Sequence, residues 1–346
     1  MKMITIPSLL VVMLVGCAPD SGWKHETALD SGGKLGGCAV GDLDSARSGN
    51  EIGVVAEDGT VTLVYRDGSK WGSEKIGAAS GEMIQCAIGD VDPERPGNEL
   101  VAVGMKTGGE EDGGAGAAMV ASKENGAWKL EPLFEDTALI HGVCVGDLDP
   151  DLPGNEILLV GFSLDATLAH REAGEWKTAK VATLPGAGKS AVPFEGGAAV
   201  TCADGSVVHL VKRDGAWTST TLDKAEAGQS RVGTDDSRLI VARDDGVLSL
   251  LQDGKRTEIH KEELKLRGAV LADVTPSSKG AEAATAGYGK SVTVLWQERG
   301  EWHEQTVFTD TGKLHHLAAG QFEGMGPSAC LVTCGFSGLV TVISHQ

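Results

Sequence analysis

One motif, repeated three times at similar intervals, restricts this chain more than any other feature. Its copies are CAVGDLDSARSGNEIGVV from Cys38, CAIGDVDPERPGNELVAVG from Cys86 and CVGDLDPDLPGNEILLVG from Cys144. The first Asp of each turn is Asp42, Asp90 or Asp147, at intervals of 48 and 57 residues. A degenerate copy, LADVTPSSKGAEAATAG, puts Asp273 at the same position 126 residues later, and AAGQFEGMGPSACLVTCG puts Gln321 there after another 48. The long gap before Asp273 holds two further units, visible as TCADGSVVHLVKRDGAW and VARDDGVLSLLQDGKR. Both match VAEDGTVTLVYRDGSKW of the first unit. Seven units of roughly 40 to 57 residues signal a repeat architecture.

Each unit reads as four strands. In the first, Leu35–Val40, Glu51–Ala56, Thr60–Tyr65 and Trp71–Ile76 are apolar or alternating runs, and Asp58-Gly59 and Asp67-Gly68 separate the last three. Asp-Gly pairs supply the positive φ of tight hairpin turns, and Asp204-Gly205, Asp214-Gly215, Asp245-Gly246 and Asp253-Gly254 repeat the pattern. Seven such units predict an all-β, seven-bladed β-propeller of four-stranded antiparallel blades. Trp71, Trp128, Trp176, Trp217 and Trp302 open the fourth strand of blades one to four and six, with Arg256 at that place in blade five. Recurrence blade after blade makes this row a packing feature rather than a ligand box. The last unit ends after three strands, and Gly22-Trp23-Lys24 resembles Gly126-Ala127-Trp128-Lys129. The N-terminal strand is therefore predicted to complete the last blade and close the ring.

The side chains carry 30 cationic and 49 acidic groups, a net charge of −19. Such a surface excludes nucleic acid as a partner, because phosphate binding needs clustered Lys and Arg. At the N-terminus, Lys2 precedes the short apolar run Ile4–Val15, which suits a signal segment better than a membrane span. Leu14-Val15-Gly16-Cys17 resembles the lipobox of bacterial lipoproteins. The resemblance implies a signal peptide over 1–16, a lipidated Cys17 with a short tether over 17–22, and a single propeller domain over 23–346. The lipid would hold the protein to a bilayer of the cell envelope. Ala18 in place of Asp favours the outer membrane. A monomer is expected. Cys38 and Cys86 share one repeat position and Cys144 lies a residue later, so these three fall in different blades, and with Cys202, Cys330 and Cys334 they are expected to be buried free thiols.

The GDLDxxxPGNE turns resemble FG-GAP or VCBS repeats, found in integrin-α-type propellers and bacterial secreted proteins. That resemblance implies a structural Ca²⁺ held by acids at alternating loop positions, since Ca²⁺ takes six to eight oxygens. Carried over, blade three offers Asp147, Asp149, Asp151 and Asn155 or Glu156. Blade two offers Asp90, Asp92, Glu94 and Asn98 or Glu99. Blade one offers Asp42 and Asp44, with Ala46 in third place. Arg47, Arg95 and Leu152 depart from the Gly usual after the third ligand. The alternative is an Asx-type turn in which the carboxylates cap the loop's own N–H groups.

Aligning the first strands collects a second set of residues. Six positions before the marker stand Gly36, Ile84, His141, Lys189, Gln229, Arg267 and His315, followed by Gly37, Gln85, Gly142, Ser190, Ser230, Gly268 and His316. First strands line the channel of a propeller, so His141, Lys189, Arg267, His315 and His316, with Gln85 and Gln229, are predicted to surround one mouth. The Gly-rich segment Gly104–Ala118 is expected on its rim. A cationic ring there can receive a carboxylate or sulfate, although strand ends beside a wet channel are often polar for solvation alone. His170, His209 and His303 read as scattered strand residues. No GxSxG, HExxH, Walker loop or dinucleotide fingerprint is present. Two readings follow: a non-catalytic binding or scaffold module for a protein or an anionic glycan, or an enzyme, a polysaccharide lyase acting on acidic glycans. Such lyases use His, Arg and Tyr at the propeller centre. The sequence places neither Tyr65 nor Tyr288 at the mouth.

Overall fold

The computed structural model of the protein describes residues 22–106, 114–276 and 280–346. The signal segment, Cys17 and most of the tether lie outside them. Among the described residues, twenty-eight strands form seven separate four-stranded antiparallel sheets. In blade one the order is β2 (Leu35–Gly41), β3 (Glu51–Ala56), β4 (Thr60–Asp67) and β5 (Lys70–Ala78). Blades two to six repeat that order. The last sheet runs β1 (Trp23–Asp30), β28 (Leu339–His345), β27 (Cys330–Gly335) and β26 (Leu314–Gly320). Trp23 pairs with His345 and Asp30 with Leu339, so the N-terminal strand closes the ring as its sequence predicts. Closure supplies the last blade with its fourth strand and ties the two ends of the described chain together, while each blade keeps its own short edges.

The turns follow their sequence. Between third and fourth strands, Asp214-Gly215 and Asp253-Gly254 both take positive φ, the type I′ conformation that matches strand twist. Blade one turns instead on Gly68-Ser69, with φ +59° at Gly68. Each core lies between neighbouring blades. One contains Leu35, Ile52 and Val54 of blade one with Val332, Val340 and Val342 of blade seven. All six described cysteines are buried free thiols. Second strands are buried along their whole length, which is why they read as unbroken apolar runs.

Every first strand carries a register break, one residue from its start in six blades and three residues from it in blade two. The extra residue is Gly36, Ile84, His141, Lys189, Ser230, Arg267 or His315. A bulge re-aims side chains and often marks a functional rim. Here it sets two rings of residues around the channel. Glycines let the inner strands meet: a Cβ on Gly36 would lie 2.2 Å from the Met83 carbonyl, and one on Gly142 would lie 2.9 Å from Ser190 Cα.

Candidate functional site at the channel mouth

The bulges place His141, Lys189, Arg267 and His315 in one ring, as the sequence alignment expects. The next ring comprises Gly37, Gln85, Gly142, Ser190, Arg231, Gly268 and His316. Blade five departs from the sequence reading by one residue. Its bulge is Ser230, and Gln229 pairs with Arg243 one step earlier. Gln229 is buried between blades, donating to Gly205 O at 3.1 Å and Asp223 Oδ2 at 3.0 Å, and so does not belong to the rings. The same correction brings Arg231, which the sequence reading passed over, into the second ring.

The histidines add no charge. Burial, reinforced by the Arg231 guanidinium, holds His315 and His316 down to about 3 and His141 well below the usual range. His141 Nδ1 lies 2.8 Å from Lys189 O and His315 Nδ1 lies 2.6 Å from Gly36 O. A carbonyl only accepts, so both Nδ1 atoms carry the proton and each ring bridges to the next blade. The positive charge belongs to Lys189, Arg231 and Arg267. Burial pushes Lys189 down to about 8 and Arg231 down to about 9. Asp244 is the carboxylate that reaches them, and Arg267 already holds it at 2.5 Å.

Three aromatic side chains cap these groups. Lys189 Nζ lies 4.1 Å from the Phe162 ring centroid and Arg267 lies 5.0 Å from that of Tyr288. His315 packs against both Tyr288 and Phe336, at 6.5 Å and 5.4 Å, and those two rings lie 6.1 Å from each other. Tyr288 is therefore at the mouth, against the sequence reading. Phe162, Tyr288 and Phe336 each follow the last Gly of a second strand, and their N–H groups donate back to Leu139 O, Lys265 O and Lys313 O. The signal was legible as Gly161-Phe162, Gly287-Tyr288 and Gly335-Phe336 at one repeat position. Within Gly104–Ala118, strands include Gly104–Lys106 and Gly116–Ala118, and 107–113 lie outside the described residues.

The GDLD turns lie at the opposite face. In each, the second Asp is buried and the first is exposed: Asp44, Asp92 and Asp149 against Asp42, Asp90 and Asp147. The buried Asp caps a loop N–H, as Asp149 Oδ1 does for Asp151 at 3.0 Å and Asp92 Oδ1 for Glu94 at 3.2 Å. Glu156 Oε2 accepts from Leu148 and Asp149, both at 2.9 Å, and Glu99 and Glu51 repeat this. Asn155 donates to Asp90 O and Asn98 to Asp42 O, joining adjacent loops. Cations from the next blade complete the set. Lys212 Nζ lies 2.8 Å from both Asp149 oxygens and 3.0 Å from Asp151, Lys123 lies 2.6 Å from Asp44, and Arg171 lies 3.7 Å from Asp92. The donors do not fit Ca²⁺, because ammonium and guanidinium groups already stand against the buried carboxylates. Among the described residues no cluster of His, Cys, Asp and Glu has metal-binding geometry.

These observations define a closed seven-bladed β-propeller with a polar central mouth. No family model and no curated protein matches the chain. Among solved structures it is similar to the crystal structure of the WD40 β-propeller domain of Doa1, with a TM-score of 0.68 and 13% identity. The match covers 94% of this chain and 98% of that one. At that identity the likeness establishes the fold alone.

Proposed function

We propose that this protein is an exported, lipid-anchored binding module of FG-GAP or VCBS type that holds an anionic ligand, protein or acidic glycan, at its central mouth. The anchor rests on the lipobox-like Leu14-Val15-Gly16-Cys17. The observation that carries the ligand reading is the gathering of Lys189, Arg231 and Arg267 near the carboxylate Asp244. On a chain of net charge −19, that local excess of cations draws an anion to one place. Phe162, Tyr288 and Phe336 supply faces on which a sugar ring or side chain can rest. The test is thermal melting of the full-length protein in detergent with acidic oligosaccharides. Stabilisation that disappears in a Lys189→Ala, Arg267→Ala double variant supports the reading; equal stabilisation of both proteins refutes it. Release of a Cys17→Ser variant from membranes checks the anchor.

One observation favours a second reading, polysaccharide β-elimination. His315, Tyr288 and Arg267 lie together, and His315 keeps Nε2 free of a proton. Base, acid and carboxylate-neutralising cation are the groups such chemistry uses. With its pKa pushed down to about 3, however, His315 is a weak base near neutral pH. Binding is therefore the better-supported reading. Growth of absorbance near ~235 nm, where unsaturated uronates absorb, would reverse that order.

A further inference from the structure

Each of the seven sheets ends in an outermost strand, and six of these strands are guarded. A sheet edge offers unpaired N–H and C=O groups to any strand that reaches it, and exposed charge on the edge strand is a common deterrent. Exposed Lys75, Lys129, Lys177, Glu258, Glu304 and Lys24 stand on the outermost strands of blades one, two, three, five, six and seven. Blade four differs. Its outermost strand, β17 (Ala216–Lys224), carries no charge from Ala216 to Leu222, and all of that stretch except half-buried Trp217 is exposed. Thr218, Thr220 and Thr221 are β-branched and suit an extended strand. Among the described residues no strand pairs with the outer side of β17.

The hairpin decides which backbone groups face outward. Asp214-Gly215 joins β16 (Ser206–Arg213) to β17, so Arg213 and Ala216 close the turn as a hydrogen-bonded pair. Antiparallel partners alternate from there. Ala216, Thr218 and Thr220 therefore bond to β16, while Trp217, Ser219 and Thr221 turn their N–H and C=O groups outward. Leu222 then forms a bulge, because Val208 pairs with Thr221 and Val207 with Asp223. The straight, uncharged run open to a partner is thus Trp217 to Thr221.

That run is complementary to itself. About a two-fold axis at Ser219, Trp217 pairs with Thr221 of a second copy, Thr218 with Thr220, and Ser219 with its own equivalent. Every outward-facing residue then meets another, and Thr–Thr pairs are favourable cross-strand neighbours. At the ends of the run, Lys224, which holds Asp204 of its own copy, comes near the exposed Asp214 turn of the other. The surroundings also permit approach. From Gly188 to Lys224, the four strands of blade four carry four cations and four acids, in a chain of net charge −19. Two copies meeting here avoid the repulsion that the chain's overall charge creates elsewhere.

We infer that β17 is a dimerisation edge, which pairs antiparallel with β17 of a second copy and joins the two fourth blades into one continuous sheet. Pairing supplies about six backbone hydrogen bonds. So short a contact gives a weak dimer that forms with concentration, not an obligate one. It stands in place of the monomer expected from the sequence and does not depend on the mouth reading.

The experiment is sedimentation velocity on the full-length protein in detergent over a concentration series. The protein is expected to pass from monomer to dimer as concentration rises. Ser219→Lys sets two ammonium groups face to face on the two-fold axis and should weaken dimerisation by roughly tenfold or more. Ser73→Lys makes the same change at the matching exposed position of blade one, opposite Val64 as Ser219 is opposite Leu210, and should leave the dimer intact. A short bismaleimide should join two copies of Ser219→Cys but not of Ser73→Cys, since the six described native thiols are buried. A protein that stays monomeric at every concentration, a dimer retained by Ser219→Lys, equal loss in Ser73→Lys, or equal cross-linking of the two cysteine variants each overturns the inference.

Discussion

Arg171 is half-buried and Arg231 buried, and the two faces of the disc treat them oppositely. On the turn face, Arg171 meets Glu131 at 2.9 Å and Asp92 at 3.7 Å, and Trp176 Nε1 donates to the same Glu131 oxygen at 3.3 Å. At the mouth, Arg231 donates one hydrogen bond and meets no carboxylate within ion-pair reach among the described residues. The turn face spends its acids on holding blades together. The mouth leaves cationic groups open. A charge that neighbours neutralise is structural; one that they leave without a partner is costly to bury.

The sharpest way to break this contrast is a matched pair of substitutions. Arg171→Met removes the guanidinium that bridges Glu131 and Asp92, leaving them only Lys129 and Arg95, and should lower unfolding stability by about 3 kcal/mol in urea titration. Arg231→Met should cost nothing. Equal losses would show that both guanidiniums are structural.

Acid and base should next separate the two faces, with opposite signs. Burial raises Glu99 to about 7, above its unfolded value, so its contribution is complete below about 4.5 and is lost as pH rises toward 7. His316 is depressed to about 3, so its neutral form stabilises the fold above about 6.5 and that contribution is lost as pH falls. Cys38, His315 and Arg231 are among the groups near it. Glu99→Gln should flatten the alkaline side of the stability profile between pH ~4.5 and ~7. His316→Gln should flatten the acid side by roughly 2 kcal/mol between pH ~6.5 and ~5. Urea melts at three pH values read both.

Ring closure gives a smaller effect. Trp71 Nε1 donates to Glu26 Oε2 at 2.7 Å, linking blade one to the N-terminal strand, while its ring packs edge-on against Phe322. Trp71→Phe keeps the packing and loses the hydrogen bond, for about 1 kcal/mol of stability in the same assay. Smallest of all, Ca²⁺ or EDTA should leave the melting temperature unchanged, because Lys212 and Lys123 occupy the charge positions a metal would take. A clear upward shift with Ca²⁺ would show that the lysines yield.

The fold was legible because its signals repeat. Asp-Gly turns, the tryptophan row and the Gly22-Trp23 strand each occur in a register that checks the others. The mouth was legible wherever the marker Asp fixed that register, as at His141 and His315. Blade five has no marker, and its alignment through Asp245-Gly246 slipped one residue. A single slip exchanges Gln229 and Ser230 for Ser230 and Arg231, and a bulge at that point magnifies the consequence. Tyr288 was missed because it reaches the mouth from a different strand, by a turn anchored on Lys265 O. The motif alone does not separate metal binding from capping. Alternating acids look alike whether they surround a cation or cap N–H groups. What decides is Lys212 and Lys123, which come from a neighbouring blade and have no fixed spacing to the loop.

The path of β1 has a consequence for how the molecule stands on a surface. Trp23 lies at the turn-face end of the outermost strand of the last blade, and the chain reaches the mouth only at Asp30. A lipid on Cys17 would therefore tie down the rim of the turn face, by a leash of six residues that spans at most ~20 Å. Held so, the disc would turn its acidic underside to the bilayer and its channel outward, toward whatever passes by in the surrounding medium.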